Sequence, residues 1–114
     1  MLDVMPLQTA VDAFADRLRS LPQSTLARGA AAEGLALARE LALRAQRIET
    51  PGQVPRSMPD AGTFAAGDQL AVAGHDLAEA LRTAAATAAP DAKPAPAEDL
   101  AEAVRLVTQA AGRW

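Results

Sequence analysis

Apolar residues recur at helical spacing in four segments of the chain. In the first segment, steps of four, three, four and three residues separate Leu7, Val11, Phe14, Leu18 and Leu21. This spacing places the side chains on one stripe of a helix and is not the alternation typical of a strand. Similar stripes follow, so the pattern predicts helices over about 6–21, 22–49, 63–89 and 96–112.

Proline-rich segments separate these helices. Residues 50–62 contain three prolines and two glycines, and residues 90–96 contain three prolines. Proline lacks an amide proton and restricts the residue before it, so helices end at such segments. We expect one all-α domain over 1–114. Its predicted architecture is an antiparallel up-down four-helix bundle with two long central helices and two shorter flanking helices.

The unequal helix lengths predict an exposed apolar end. In an antiparallel hairpin of the long helices, both short helices cover the end away from the 50–62 connector. Apolar residues at the connector end then become candidates for contact with a partner: Leu41, Leu43, Ile48, Val54, Met58, Phe64, Leu70 and Val72. A second possibility is that residues 50–62 fold over this end and seal it.

Alanine dominates the apolar composition and predicts a thin core. It supplies 30 residues, whereas Leu, Ile, Val and Phe together supply 23. A thin core leaves a lone subunit marginally stable, and association is one remedy. Gly29, Gly34 and Gly74 fall inside predicted helices, where each costs up to about 1 kcal/mol, so we expect close approach of a neighbouring helix there.

Charge and composition exclude several kinds of chemistry. The chain has no cysteine, which rules out disulfides, thiol nucleophiles and cysteine-based metal sites. Its net charge is −3, so binding to nucleic acid is not expected. Residues 1–6 do not form a secretory signal, and no window is apolar enough to cross a membrane, so the cytoplasm is the expected compartment.

Five polar residues are candidates for contact with a ligand or partner. Charged residues border the core stripe of the second predicted helix, and the single histidine lies on the polar face of the third. These candidates are Glu33, Glu40, Arg44, Arg47 and His75. The simpler interpretation is an interhelical salt-bridge margin and a solvated histidine with a weak ion pair. We expect no metal site, because one histidine and a few carboxylates on one exposed helix are a poor ligand set.

Catalytic motifs are missing from the sequence. The serines lie at predicted turns, far from the only histidine, and there is no Gly-x-Ser-x-Gly, Gly-x-Gly-x-x-Gly or Walker-type motif. We therefore expect no enzymatic activity and no cofactor. The final residue, Trp114, completes the stripe of the fourth helix and is expected to pack over the bundle end.

The short, cysteine-free chain with a central helical hairpin resembles the helical-hairpin substrates of type VII secretion. Leu2, Asp3 and Val4 before a helix rich in Ala, Arg and Leu add to the resemblance. The sequence departs from that family because it has no Trp-x-Gly at the hairpin turn, no tyrosine-based signal, and a fourth helix.

Three functions remain in view from the sequence. The first is a non-catalytic helical protein–protein interaction module of unknown pathway, which forms a homodimer or binds another protein. The second is a helical bundle that senses a small molecule or ion. The third is a secreted hairpin of the type VII kind.

Overall fold

A computed structural model describes residues 1–89, 91 and 95–114. Four helices pack against one another and form an all-helical bundle, as the apolar spacing predicts, and the described residues contain no strand. The helical elements are α1 (Met5–Ser20), the single turn α2 (Gln23–Thr25), a π-helical segment (Leu26–Ala30), α3 (Ala31–Glu49), a 3-10 turn (Thr63–Ala65), α4 (Ala66–Thr87) and α5 (Pro96–Ala111).

The second predicted helix is broken near its start. Gly29 has φ +138°, which interrupts the helix before α3 begins. Residues with a side chain rarely adopt this backbone conformation, so glycine is needed for the break. The prediction that Gly29 lies inside a continuous helix is therefore wrong. The indole ring of Trp114 packs on this glycine, 3.4 Å from where a Cβ would lie.

The two long helices run parallel, which corrects the expected antiparallel hairpin. A Cβ placed on Gly34, near the start of α3, would lie 3.7 Å from the Cβ of Ala66, the first residue of α4. At the other end, Ile48 of α3 and Leu81 of α4 line the same groove. The resemblance to helical-hairpin secretion substrates therefore loses its structural basis.

The connector 50–62 makes the parallel arrangement possible. Thirteen extended residues span about 43 Å, more than the roughly 28 Å length of α3, so the chain can return to the start of α3 before α4 begins. Hydrogen bonds hold it along that path. The side chain of Gln46 bonds both main-chain groups of Arg56 at 2.7 and 2.9 Å, and Arg39 donates to the carbonyl of Met58 at 2.8 Å.

The shorter helices run opposite to the long ones. Arg19, at the end of α1, bonds Asp68 at the start of α4, with 2.9 Å between Nε and Oδ1. Glu102 of α5 lies 3.2 Å from Arg44 near the end of α3. The bundle therefore contains two parallel pairs, α1 with α5 and α3 with α4. The predicted 90–96 connector includes residues 90 and 92–94, which lie outside the described residues.

Glycines let α1 approach α4 closely. A Cβ on Gly74 would collide with the side chain of Val11, and one on Gly67 would lie 2.9 Å from the carbonyl oxygen of Ala15. A Cβ placed on Gly34 would lie 2.7 Å from a terminal methyl carbon of Leu18. The close approach expected at Gly34 and Gly74 is confirmed, and the neighbour in both cases is α1.

The expected apolar surface at the connector end is not present as a unit. Leu41 and Leu70 have no exposed surface. Because the long helices are parallel, the end of α3 and the start of α4 lie at opposite ends of the bundle, so these candidates do not meet at one end. Val54, Phe64 and Val72 are exposed but lie on the connector, the 3-10 turn and the outer face of α4. The remaining candidates are partly buried, namely Leu43, Ile48 and Met58.

No described helix is both long and apolar enough to cross a bilayer.

Candidate functional site

Helix α4 extends past its neighbours at its C-terminal end. Gly34 lies beside Ala66, so Glu49 at the end of α3 is level with Leu81 of α4. Val11 lies beside Gly74, and α1 runs antiparallel to α4, so Met5 at the start of α1 is level with residue 80. At about 1.5 Å per residue, the last six residues of α4 project roughly 9 Å beyond both helices.

A groove opens beside this projecting end, between α3 and α5. Helix α5 packs more extensively on α1 than on α3, which leaves the seam between α3 and α5 loose. The groove has a volume of about 1020 Å³ and is partly enclosed. Its lining comes from the last turn of α3, the second half of α4 and the first turn of α5: Arg44, Arg47, Ile48, Glu49, Leu77, Glu79, Ala80, Leu81, Thr83, Ala84, Thr87, Ala88, Pro96 and Asp99.

Beyond Leu81, the part of the groove that α4 contributes is built from small, uncharged side chains. After Arg82, residues 83–89 are all alanine or threonine. The hydroxyl of Thr87 does not offer a strong polar contact, because it already donates to the carbonyls of Thr83 and Ala84 at 3.3 and 3.4 Å. Exposed helices normally carry charge on their solvent face, so an uncharged exposed end indicates a surface suited to contact.

Arg44 forms an ion-pair network at the edge of the groove. Its guanidinium contacts Glu40 at 2.7 Å and Glu102 at 3.2 Å, which joins α3 to α5. Burial disfavours the charged guanidinium, but the hydrogen bonds to the two carboxylates outweigh burial and raise the pKa of Arg44. Arg44 therefore stays charged, the two carboxylates compensate its charge, and the network holds the groove wall in place.

Two other charged residues in the groove differ from Arg44. Arg47 is exposed and makes no hydrogen bond or ion pair within the described part of the chain. Asp99 is partly buried, and burial raises the pKa of its carboxyl despite the nearby charge of Arg44. Besides Arg44, Glu49 and Glu79, the rim of the groove therefore offers a cation without a partner among the described residues, Arg47, and a poorly solvated carboxylate, Asp99.

The polar candidates singled out from the sequence do not form one site. Only Arg44 and Arg47 line the groove, and Glu40 reaches it through Arg44. His75 lies on the outer face of α4, where its Nε2 is 2.7 Å from Oδ1 of Asp12. This interhelical pair was missed, since Asp12 is distant in sequence.

Glu33 lies at the opposite end of the bundle. It pairs with Arg113, and its Oε2 accepts a hydrogen bond of 2.8 Å from the indole Nε1 of Trp114. Burial alone would raise the pKa of Glu33, but these hydrogen bonds and the charge of Arg113 outweigh it and lower the pKa. Glu33 therefore fixes the end of the chain on α3 and takes no part in the groove.

The groove combines surface and charge in a way that suits binding. Residues 1–89, 91 and 95–114 contain no group of three or more His, Cys, Asp or Glu side chains that could hold a metal ion. What the groove provides is an apolar surface with a charged rim. The sequence singled out Ile48, Arg44 and Arg47, but the floor was missed, and its only signal is the uncharged run over 83–89.

Comparisons with protein-family models, with curated proteins and with solved structures find no match to this chain.

Proposed function

We propose that the chain is a non-catalytic helical interaction module that forms a homodimer, with the groove between α3, α4 and α5 as its contact surface. The observation that carries this proposal is the apolar groove beside the projecting, uncharged end of α4. Exposed apolar surface on a soluble domain is a common mark of an interaction site. The proposal includes a cytoplasmic location, which imaging of the tagged protein would check.

The thin core supports association through this surface. Alanine supplies much of the buried surface of α4, including Ala73, Ala78 and Ala80. Alanine buries little apolar area, so each subunit gains modest stability from its own core. Burying the groove against another protein would add apolar burial at the end of α4, where the subunit lacks it.

Two matched variants of α4 test the proposal. Ala84 lines the groove, whereas Ala86 is exposed and lies about 200° around the same helix. Ala84→Glu places a carboxylate in the proposed contact, and burying an unpaired charge should weaken the dimer about 30-fold or more. Ala86→Glu adds the same charge outside it and should leave the dimer intact.

Sedimentation velocity from low to high micromolar concentration is the measurement. We expect a concentration-dependent dimer for the unmodified chain and for Ala86→Glu, and a monomer for Ala84→Glu. Circular dichroism melts check that both variants remain folded. A chain that stays monomeric throughout contradicts the proposal, as does equal weakening by the two variants.

A second candidate function is the binding of a small amphipathic molecule in the same groove. Its volume of about 1020 Å³ is at the upper end of the roughly 300–1,000 Å³ typical of ligand pockets. A thermal-shift screen distinguishes the two functions, because a ligand that binds only the folded state raises the melting temperature further as the ligand concentration increases. A homodimer without a small ligand would instead melt at a temperature that depends on protein concentration.

A further inference from the structure

We propose that the two copies pair through the projecting halves of α4, packed antiparallel about a two-fold axis near Ala84. This inference rests on the homodimer proposed above and specifies which segment of the second copy fills the groove. The occupant is residues 80–88, the same segment that forms the groove floor.

Symmetry favours this segment as the occupant. A two-fold interface uses the same patch on both subunits, so the patch must be complementary to itself. Ala84 and Ala88 are spaced four apart and are accessible on one face of α4, and the buried Ala80 continues that face at the base of the groove. Antiparallel pairing centred on Ala84 brings the two Ala84 side chains together and places Ala88 of one copy over the groove base at Ala80 of the other. Side chains as small as those of Ala84 and Ala88 allow helix axes to approach to about 8 Å.

Charge supports the same register. By the alignment of α3 with α4, Arg47 is level with residue 79, which pairing centred on Ala84 places opposite residue 89 of the second copy. The C-terminal end of the second copy's α4 then lies beside Arg47. A helix C-terminus carries partial negative charge and favours a cation. Helix α4 has no basic residue in its own last turn, and Arg47 has no partner among the described residues.

Engineered cysteines test this arrangement directly. The chain has no cysteine, so a single introduced thiol can form a disulfide only between two copies. Ala84→Cys lies next to the proposed axis, where Cα atoms of the two copies can approach within the roughly 4.4–6.8 Å that a disulfide requires. Ala86→Cys is the matched control on the opposite face of the same turn. Mild oxidation followed by a non-reducing denaturing gel measures the covalent dimer.

We expect rapid cross-linking of Ala84→Cys when concentrated protein is oxidised, and no cross-linking when the protein is diluted before oxidation. Ala86→Cys should cross-link little at either concentration. If the chain sediments as a dimer but Ala84→Cys cross-links no faster than Ala86→Cys, the α4 pairing is wrong and the homodimer stands. If the chain is monomeric at all concentrations, both proposals are wrong.

Arg47→Gln supplies a second test that does not depend on a core position. Each dimer contains two of the proposed contacts between Arg47 and a helix end. Their loss should weaken the dimer about 3- to 30-fold, and the effect should shrink at high salt. Arg28→Gln serves as a control at the opposite end of the bundle, where Arg28 donates a hydrogen bond to Thr25. Equal dimer affinity in the unmodified chain and Arg47→Gln contradicts the proposed register.

Discussion

The two halves of α4 solve different packing problems with the same small residues. In the first half, Gly67 and Gly74 bring α1 into contact with α4, and the neighbouring Leu70 is completely buried. In the second half, beyond Leu81, alanine and threonine face a partly open groove and no large apolar side chain remains.

The comparison shows that small residues acquire a role from what lies opposite them. Against α1, glycine removes steric obstruction and the apolar neighbours supply burial. At the far end of α4 nothing within the described residues fills the same space, so the small side chains form an open surface. We interpret the first half as the centre of subunit stability and the second as the site of association.

The two phenylalanines give the largest expected contrast in stability. Phe14 of α1 is almost completely buried, whereas Phe64 is 72% exposed. Phe14→Ala should lower the free energy of unfolding by about 3–5 kcal/mol, because it leaves a cavity between packed helices. Phe64→Ala should change it by less than about 0.5 kcal/mol. Urea denaturation measures both, and similar losses would contradict the difference in burial between the two side chains.

Gly74→Ala tests the close approach of α1. The added methyl group collides with Val11, and overpacking of this kind costs about 1–3 kcal/mol, partly offset by the roughly 1 kcal/mol gain in helix propensity. Combining it with Val11→Ala should relieve the collision, so a double-mutant cycle should show favourable coupling of the two changes. A Gly74→Ala variant as stable as the unmodified chain, with no coupling, would contradict the close packing.

The pH dependence of stability tests the contacts that fix Trp114 at the packed end. The pKa of Glu33 is lower in the folded protein than its ordinary value of 4.5. Its stabilisation is therefore complete above that value and is lost as the pH falls through the folded pKa. Glu33→Gln should lower stability by about 1 kcal/mol or less at pH 7. The difference should vanish in acid.

Two features of the chain make that comparison specific. Asp99 has a raised pKa, so its protonation has the opposite effect, but it is present in both proteins and cancels in the difference. Asp16→Asn is the control, because Asp16 pairs with Arg19 on an exposed face away from the groove. A pH-independent effect of Glu33→Gln would show that the ionised carboxylate does not hold the end of the chain.

The smallest expected effect is at Val72, which is exposed on the outer face of the packed half. Val72→Ser should change the free energy of unfolding by less than about 0.5 kcal/mol and should leave the sedimentation of the dimer unchanged. Loss of the dimer in this variant would move the contact surface from the groove to the outer face of α4.

The sequence determined the helices more clearly than their directions. Apolar spacing located α1 and α5 to within one or two residues, because a repeated stripe is a strong signal. The direction of α4 depends on Gln46 and Arg39, which hold the connector along α3. Such distant hydrogen bonds leave no periodic pattern, so a hairpin and a returning connector were equally compatible with the same prolines.

The candidate site was only partly predictable for a related reason. Ile48, Arg44 and Arg47 were singled out as large or charged residues at a helix end. Ala84 was not singled out, because alanine fits a buried seam and an open groove equally well. Deciding between these requires the relative heights of α3 and α4, which follow from the contact of Gly34 with Ala66.

Amide hydrogen exchange along α4, recorded at low and at high protein concentration, tests the central claim most directly. We predict strong protection of 66–81 at both concentrations, because this half is packed within the subunit. Residues 82–88 should exchange rapidly when dilute and more slowly when concentrated, as a second copy covers them. Exchange over 82–88 that does not change with concentration would contradict self-association through this groove.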